Sequence, residues 1–159
     1  NLNSSIDSFP LDDISNKYLT FELSALINTS KLFGIAMKNV IEIVNMQYAS
    51  EVPYAPSYVK GMINLRGSIV PLVDINERFG FEETEYNEKT CIIVVEINEN
   101  QIGLIVNMVH DVVNIRQISP LPKEVDKISN KYVSGVSELE DGRVVLIMDT
   151  DLVIGMDII

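Results

Sequence analysis

All eight glycines of this chain fall into four pairs, and that pairing limits the fold more than any other feature. Gly34 pairs with Gly103, Gly61 with Gly135, Gly67 with Gly142 and Gly80 with Gly155, at offsets of 69, 74, 75 and 75 residues. A duplication with a few loop insertions gives such offsets. Neighbouring side chains agree. Phe33-Gly34-Ile35 answers Ile102-Gly103-Leu104, and Val40 to Val44 answers Val109 to Val113. Tyr58-Val59-Lys60-Gly61 answers Tyr132-Val133-Ser134-Gly135, and Ile69 to Asp74 answers Val144 to Asp149. Turns and bulges need glycine's backbone freedom, so a duplicated β protein would keep glycine at such places.

Short β-rich runs separated by turn signals fill each copy. They predict strands at Tyr18–Leu23, Leu32–Ala36, Val40–Asn45, Gly61–Leu65 and Ser68–Val73, then at Thr90–Ile97, Gln101–Val106, Val109–Ile115, Ser134–Leu139 and Arg143–Met148. Brief helical turns fit at Pro56–Val59, Ile75–Phe79, Ser129–Tyr132 and Thr150–Ile154. Five short strands leave two open edges, which closure into a small barrel removes. The fold expected is therefore all-β, two tandem five-stranded barrels. The expected division is a flexible arm at 1–16, barrels at 17–80 and 90–159, and a solvated acidic linker at 81–89. Pro71 cannot donate to a ladder and belongs at an edge or bulge.

The chain has 159 residues, with 23 acidic side chains against 12 basic ones, a net charge of −11. Such a field repels phosphate backbones and anionic membrane surfaces, so nucleic acid is not an expected partner. The longest strictly apolar runs, such as Cys91–Val95 and Val144–Met148, are far short of the ~18 residues that span a bilayer. The one cysteine, Cys91, cannot close an internal disulfide, reads as core and fits a reducing cytosol. With one histidine besides, no metal site or cofactor is expected.

Candidate chemistry is sparse. Asp74 and Asp149 match across the duplication and invite comparison with a duplicated aspartate hydrolase. Such a dyad needs a small Ser/Thr-Gly after each Asp so that two carboxylates can share a proton. Here Ile75-Asn76 and Thr150-Asp151 follow, and each Asp reads as the N-cap of a short helical turn. His110 has no nucleophile or ligand spacing around it. Arg66, in the turn Asn64-Leu65-Arg66-Gly67, has a possible bidentate partner in Glu42. The matching positions of the second copy, Asp111 and Asp141, are both acidic and cannot make that pair. The residues alone read Arg66 slightly more readily as an ordinary turn residue. Likewise Val40, Ile43, Val109 and Val112 could line a groove between the barrels that takes an apolar helix stripe, or could simply fill two cores.

The run Pro56-x-Tyr58-Val59-Lys60-Gly61-x-Ile63-Asn64-Leu65-Arg66-Gly67-x-Ile69-Val70-Pro71-Leu72-Val73-Asp74, with Phe33-Gly34-Ile35 and Val40-x-Glu42-Ile43 before it, resembles the CheW family of chemotaxis coupling proteins. The likeness spans about residues 18–155. It implies SH3-like barrels, no catalysis, and a cytoplasmic scaffold recruited to receptor arrays. The implied partners are the regulatory domain of the histidine kinase CheA, on the first barrel, and the helical tip of a chemoreceptor, in the groove between barrels. The implied partner-binding positions are Val40, Glu42, Ile43, Gly61, Asn64, Arg66, Gly67, Val109 and Val112. The same module occurs in the kinase itself and in the receiver-fused CheV proteins. The polar arm ahead of Tyr18 favours the free-standing form. Relative to the family the first hairpin is lengthened by Ser24–Ser30, and no longer C-terminal helix is expected after Gly155.

Overall fold

The computed structural model describes residues 14–26, 31–82, 85–121 and 131–155. All ten expected strands form: β1 (Lys17–Glu22), β2 (Lys31–Ala36), β3 (Val40–Asn45), β4 (Val59–Leu65), β5 (Ser68–Asp74), β6 (Cys91–Ile97), β7 (Asn100–Val106), β8 (Met108–Asn114), β9 (Val133–Glu138) and β10 (Val144–Met148). Two short helices follow the fifth strand of each copy, α1 (Ile75–Arg78) and α2 (Thr150–Ile154). Pro56–Val59 is a hydrogen-bonded turn rather than a helical one, closed by Val59 N–H on the Pro56 carbonyl at 3.0 Å. Single 3-10 turns at Ser24–Leu26 and Met37–Asn39 were not foreseen. The expected arm falls almost entirely, and the turn at Ser129–Tyr132 in part, outside the described residues.

The strands form two five-stranded sheets, in the orders β8-β1-β2-β10-β9 and β3-β6-β7-β5-β4. The fold is all-β with two SH3-like units, but the units are not the segments 17–80 and 90–159. The first hairpin, β1–β2, is inserted beside the last three strands, where β2 runs parallel to β10 and β1 antiparallel to β8. The hairpin β6–β7 reciprocates, β7 running parallel to β5 and β6 antiparallel to β3. Each copy thus lends its hairpin to the other. Periodicity and turn signals report which segments are strands and carry nothing about which hairpin a three-stranded remnant accepts. Pro71 sits one residue ahead of the β5–β7 ladder, which starts at Leu72, so no donor is asked of it there.

Each sheet closes on itself through one isolated bridge, Ser50 with Met62 and Ser119 with Val136. Gly61 and Gly135 stand beside these bridges. A Cβ on Gly61 would lie 2.6 Å from the Ser50 carbonyl oxygen, and one on Gly135 2.8 Å from that of Ser119. The chains cross so closely there that only glycine fits. The bulges repeat as well, falling between Val40 and Glu42 in β3 and between Val109 and Val112 in β8.

The main core lies between the two sheets. It gathers Phe21, Phe33, Ile35 and Leu146 from one and Val73, Ile93, Val95 and Leu104 from the other. Smaller cores fill the sheet interiors, with Val70, Leu72, Ile92 and Val94 in one and Val145 and Ile147 in the other. Strands such as β6 and β10 are therefore buried on both faces, which is why their sequences are unbroken apolar runs. Cys91 is only half-buried, its Sγ on the Lys89 carbonyl. The segment 81–89 is more than a solvated connector, since Phe81 packs edge-on against Phe79 and the Tyr86 hydroxyl donates to Asp74 Oδ2 at 2.7 Å.

The two helices meet where the copies meet. Phe79 stacks on Tyr132 with centroids 4.8 Å apart. The Arg78 guanidinium lies 4.5 Å over the Tyr58 ring and 5.5 Å from that of Tyr132, and Arg78 Nε donates to the Val153 carbonyl at 2.7 Å.

Candidate partner-binding site

Leu65 pairs with Ser68, so Arg66 and Gly67 form a two-residue hairpin loop, with φ of 51° and 87°. Both positive angles match the primed turn that a right-twisted hairpin prefers, and for arginine that backbone is strained. Asn64 Oδ1 accepts the Gly67 N–H at 3.0 Å and braces the loop. The bulge ahead of Glu42 leaves it in reach of Arg66, whose Nη1 meets Glu42 Oε2 at 2.6 Å. The pair is a single contact rather than a bidentate fork. The Arg66 side chain is 77% exposed and that of Glu42 20%, so the large cost of breaking a buried ion pair does not apply.

The second copy does make an equivalent bridge, contrary to expectation, because Arg143 supplies the cation two residues past Asp141. Its Nη1 meets Asp111 Oδ1 at 3.2 Å and its Nε meets Asp141 Oδ2 at 2.9 Å. The fully buried Thr20 adds a hydroxyl 2.5 Å from Asp111 Oδ1, and the same hydroxyl accepts the Asp111 N–H. The Thr20 hydroxyl first, and then the Arg143 guanidinium, hold the Asp111 carboxyl below its ordinary value. Asp111 in turn raises Arg143 above its usual range. Thr20 and Arg143 carried no signal in the sequence beyond a hydroxyl in an apolar strand and a cation after a turn. His110 stands 3.0 Å from Glu22 Oε1 and belongs to no larger constellation among the described residues.

The apolar candidates divide. Ile43 and Val112 occupy matching positions on β3 and β8, and both are more than 40% exposed, as is Ile41. Val40 and Val109 are partly buried against the main core. Gly61 is buried at the closing bridge and cannot itself touch a partner. Val40 and Val109 thus pack against the main core between the sheets, whereas Val112 does not belong to it. Val40 seals that core while Val112 stands in solvent. A hollow of about 1120 Å³ opens beside Arg143, with Arg116, Ser119, Glu138 and Glu140 in its lining.

Asp74 and Asp149 are N-caps, as expected. Asp74 Oδ1 accepts from Glu77 N–H at 3.2 Å and Asp149 Oδ1 from Leu152 N–H at 3.1 Å. No group of three or more His, Cys, Asp or Glu among the described residues could hold a metal ion.

Two curled five-stranded sheets, exchanged by hairpins and each carrying an acid–arginine bridge beside an exposed β-branched side chain, define a duplicated SH3-like module. The chain belongs to the CheW family, the model of the CheW-like domain matching residues 17–157. It is 33% identical over 134 residues to the chemotaxis protein CheW of Rhizobium meliloti, covering 83% of this chain and 86% of that one. It is 28% identical over 138 residues to the CheW of Klebsiella aerogenes, covering 86% and 80%. Among solved structures it resembles the scaffolding protein TtCheW of Thermoanaerobacter tengcongensis, with a TM-score of 0.77, 30% identity, and coverage of 91% and 96%.

Proposed function

We propose that this chain is a chemotaxis coupling scaffold that joins chemoreceptor cytoplasmic tips to the histidine kinase CheA and acts by binding alone. The observation that carries this reading is the pair of matched surface sites, one on each sheet. Glu42, Ile43, Asn64, Arg66 and Gly67 form one, and Asp111, Val112 and Arg143 the other. A molecule with two such sites on one rigid core can hold two partners at a set separation. The kinase regulatory domain docks on the first site. The receptor tip, an apolar helical stripe, covers Val112, with Val40 and Val109 shaping the surface from beneath. Gly61 acts on the first site indirectly, by closing the sheet that carries Arg66. Catalysis through Asp74 and Asp149 is disfavoured, because each carboxylate is committed to its own helix cap. No helix of the described residues is long and apolar enough to cross a membrane, so residence at receptor arrays would come through the receptor.

The test is Val112→Glu, titrated separately against a receptor cytoplasmic fragment and the kinase regulatory domain after circular dichroism confirms folding. A charge forced against an apolar stripe is costly. Receptor binding should weaken severely while kinase binding holds. Equal loss to both partners, or no loss to the receptor, would refute the assignment.

A further inference from the structure

We infer that Arg78 is the positioning residue that sets the two hairpin-exchanged sheets relative to one another. The duplication maps position 78 onto 153 and Tyr58 onto Tyr132. Those mapped residues converge at one place. Arg78 Nε donates to the Val153 carbonyl, and its guanidinium lies over both matched tyrosine rings. Residues related by a two-fold can meet only at the axis, so this cluster marks where the axis of the duplication passes. Two arginines there would bring like charges together at contact distance, which the half-buried setting makes expensive. One arginine serving both halves avoids that, and Val153, fully buried, takes the other position.

The surrounding bonds make the clamp directional. Asp74 N–H donates to the Tyr58 carbonyl at 2.7 Å and Asp149 N–H to the Tyr132 carbonyl at 2.8 Å, so the backbone of each tyrosine is tied to the cap of its own copy's helix. Arg78 leaves α1, and its hydrogen bond ends on α2. An apolar core is non-directional and tolerates sliding, whereas a planar guanidinium held by a directed hydrogen bond and lying over aromatic rings specifies an orientation. The consequence for assembly rests on the scaffold reading, in which the two partner sites sit on different sheets. The positioning itself rests on geometry alone.

The test places spin labels at Glu96→Cys on β6 and Glu138→Cys on β9, both exposed and one on each sheet, in a Cys91→Ser background of the full chain. Pulsed dipolar distances are compared for Arg78, Arg78→Met and Arg78→Lys. The Met variant should broaden and shift the distribution while circular dichroism stays native. Lys keeps the charge without the flat face and should fall between. Should the Met variant not fold, the Lys variant decides alone. An unchanged distribution in the folded variants overturns the inference. Simultaneous capture of a receptor fragment and the kinase regulatory domain is then measured with Arg78→Met. Lost simultaneous capture with each single affinity intact supports the link to assembly. Retained capture despite broadened distances leaves the positioning role standing and counts against the scaffold's need for fixed separation.

Discussion

Replacing Gly61 by alanine tests whether that glycine acts through the closing bridge or through contact with a partner. Its φ of 143° is a conformation that side chains rarely adopt, which costs about 1–3 kcal/mol. The new Cβ would also stand 2.6 Å from the Ser50 carbonyl oxygen and 2.9 Å from the Ala49 Cβ. Neither can retreat without opening the bridge, in which Ser50 and Met62 exchange hydrogen bonds of 2.9 and 2.8 Å. Two such bonds are worth about 0.5–1.5 kcal/mol each. Gly67→Ala is the control. It has φ of 87° but nothing within 4 Å of its Cβ, so only the conformational cost remains. Urea unfolding at 25 °C should therefore show Gly61→Ala losing about 1–3 kcal/mol more than Gly67→Ala. Amide exchange at Ser50 and Met62 should accelerate only in the first variant. Equal destabilisation by the two substitutions would refute the argument. So would a Gly61→Ala protein of native stability that no longer binds the kinase, since that would make Gly61 a contact residue.

Arg66→Ala should cost no more than about 1 kcal/mol in the same unfolding assay, because its partner lies in solvent reach and the side chain is mostly exposed. A loss near 3 kcal/mol would mean that the pair is far better shielded than its exposure indicates. Asp111 gives a pH prediction. Its folded-state pKa is lowered from 3.8, so the folded chain takes up that proton less readily than the unfolded one. Its stabilising contribution is complete above that value and is lost as pH falls through the lower folded value. Asp111→Asn should flatten the acid limb of the stability curve in that window and leave its neutral part parallel. An identical acid slope in urea midpoints would show that Thr20 and Arg143 do not hold the carboxylate.

The strands were readable because their burial is written into side-chain order. Cys91–Val95 and Val144–Met148 are unbroken apolar runs, and both proved to be strands covered on two faces. The caps at Asp74 and Asp149 were equally plain, an acid ending an apolar strand three residues before a free backbone donor. Partner choice between hairpins was not legible, since Gly34 and Gly103 sit in near-identical contexts and either hairpin satisfies the same local pattern. Of the candidate site, the sequence made Glu42 and Arg66 a candidate pair without excluding an ordinary turn residue at Arg66. Arg143 could not be paired, because it fills the site from two residues beyond the aligned position. Arg78 escaped notice for a related reason. Its partners are Tyr58 and Val153, twenty and seventy-five residues away, and only the folded axis brings them together.

The hairpin exchange has a price in biosynthesis. β2 finds its parallel neighbour only when β10 leaves the ribosome, more than a hundred residues later, roughly 6–23 s at about 5–20 residues per second. Until β8 emerges the nascent chain carries an apolar hairpin with no strand to join, and until β10 emerges its sheet stays incomplete, a natural client for a holding chaperone. A nascent chain halted once the acidic segment 81–89 has cleared the ribosome would display a finished first copy that still cannot complete a sheet. Severing the chain in that segment would likewise not release two modules. It would yield two mutually dependent fragments that recover native dichroism only when mixed.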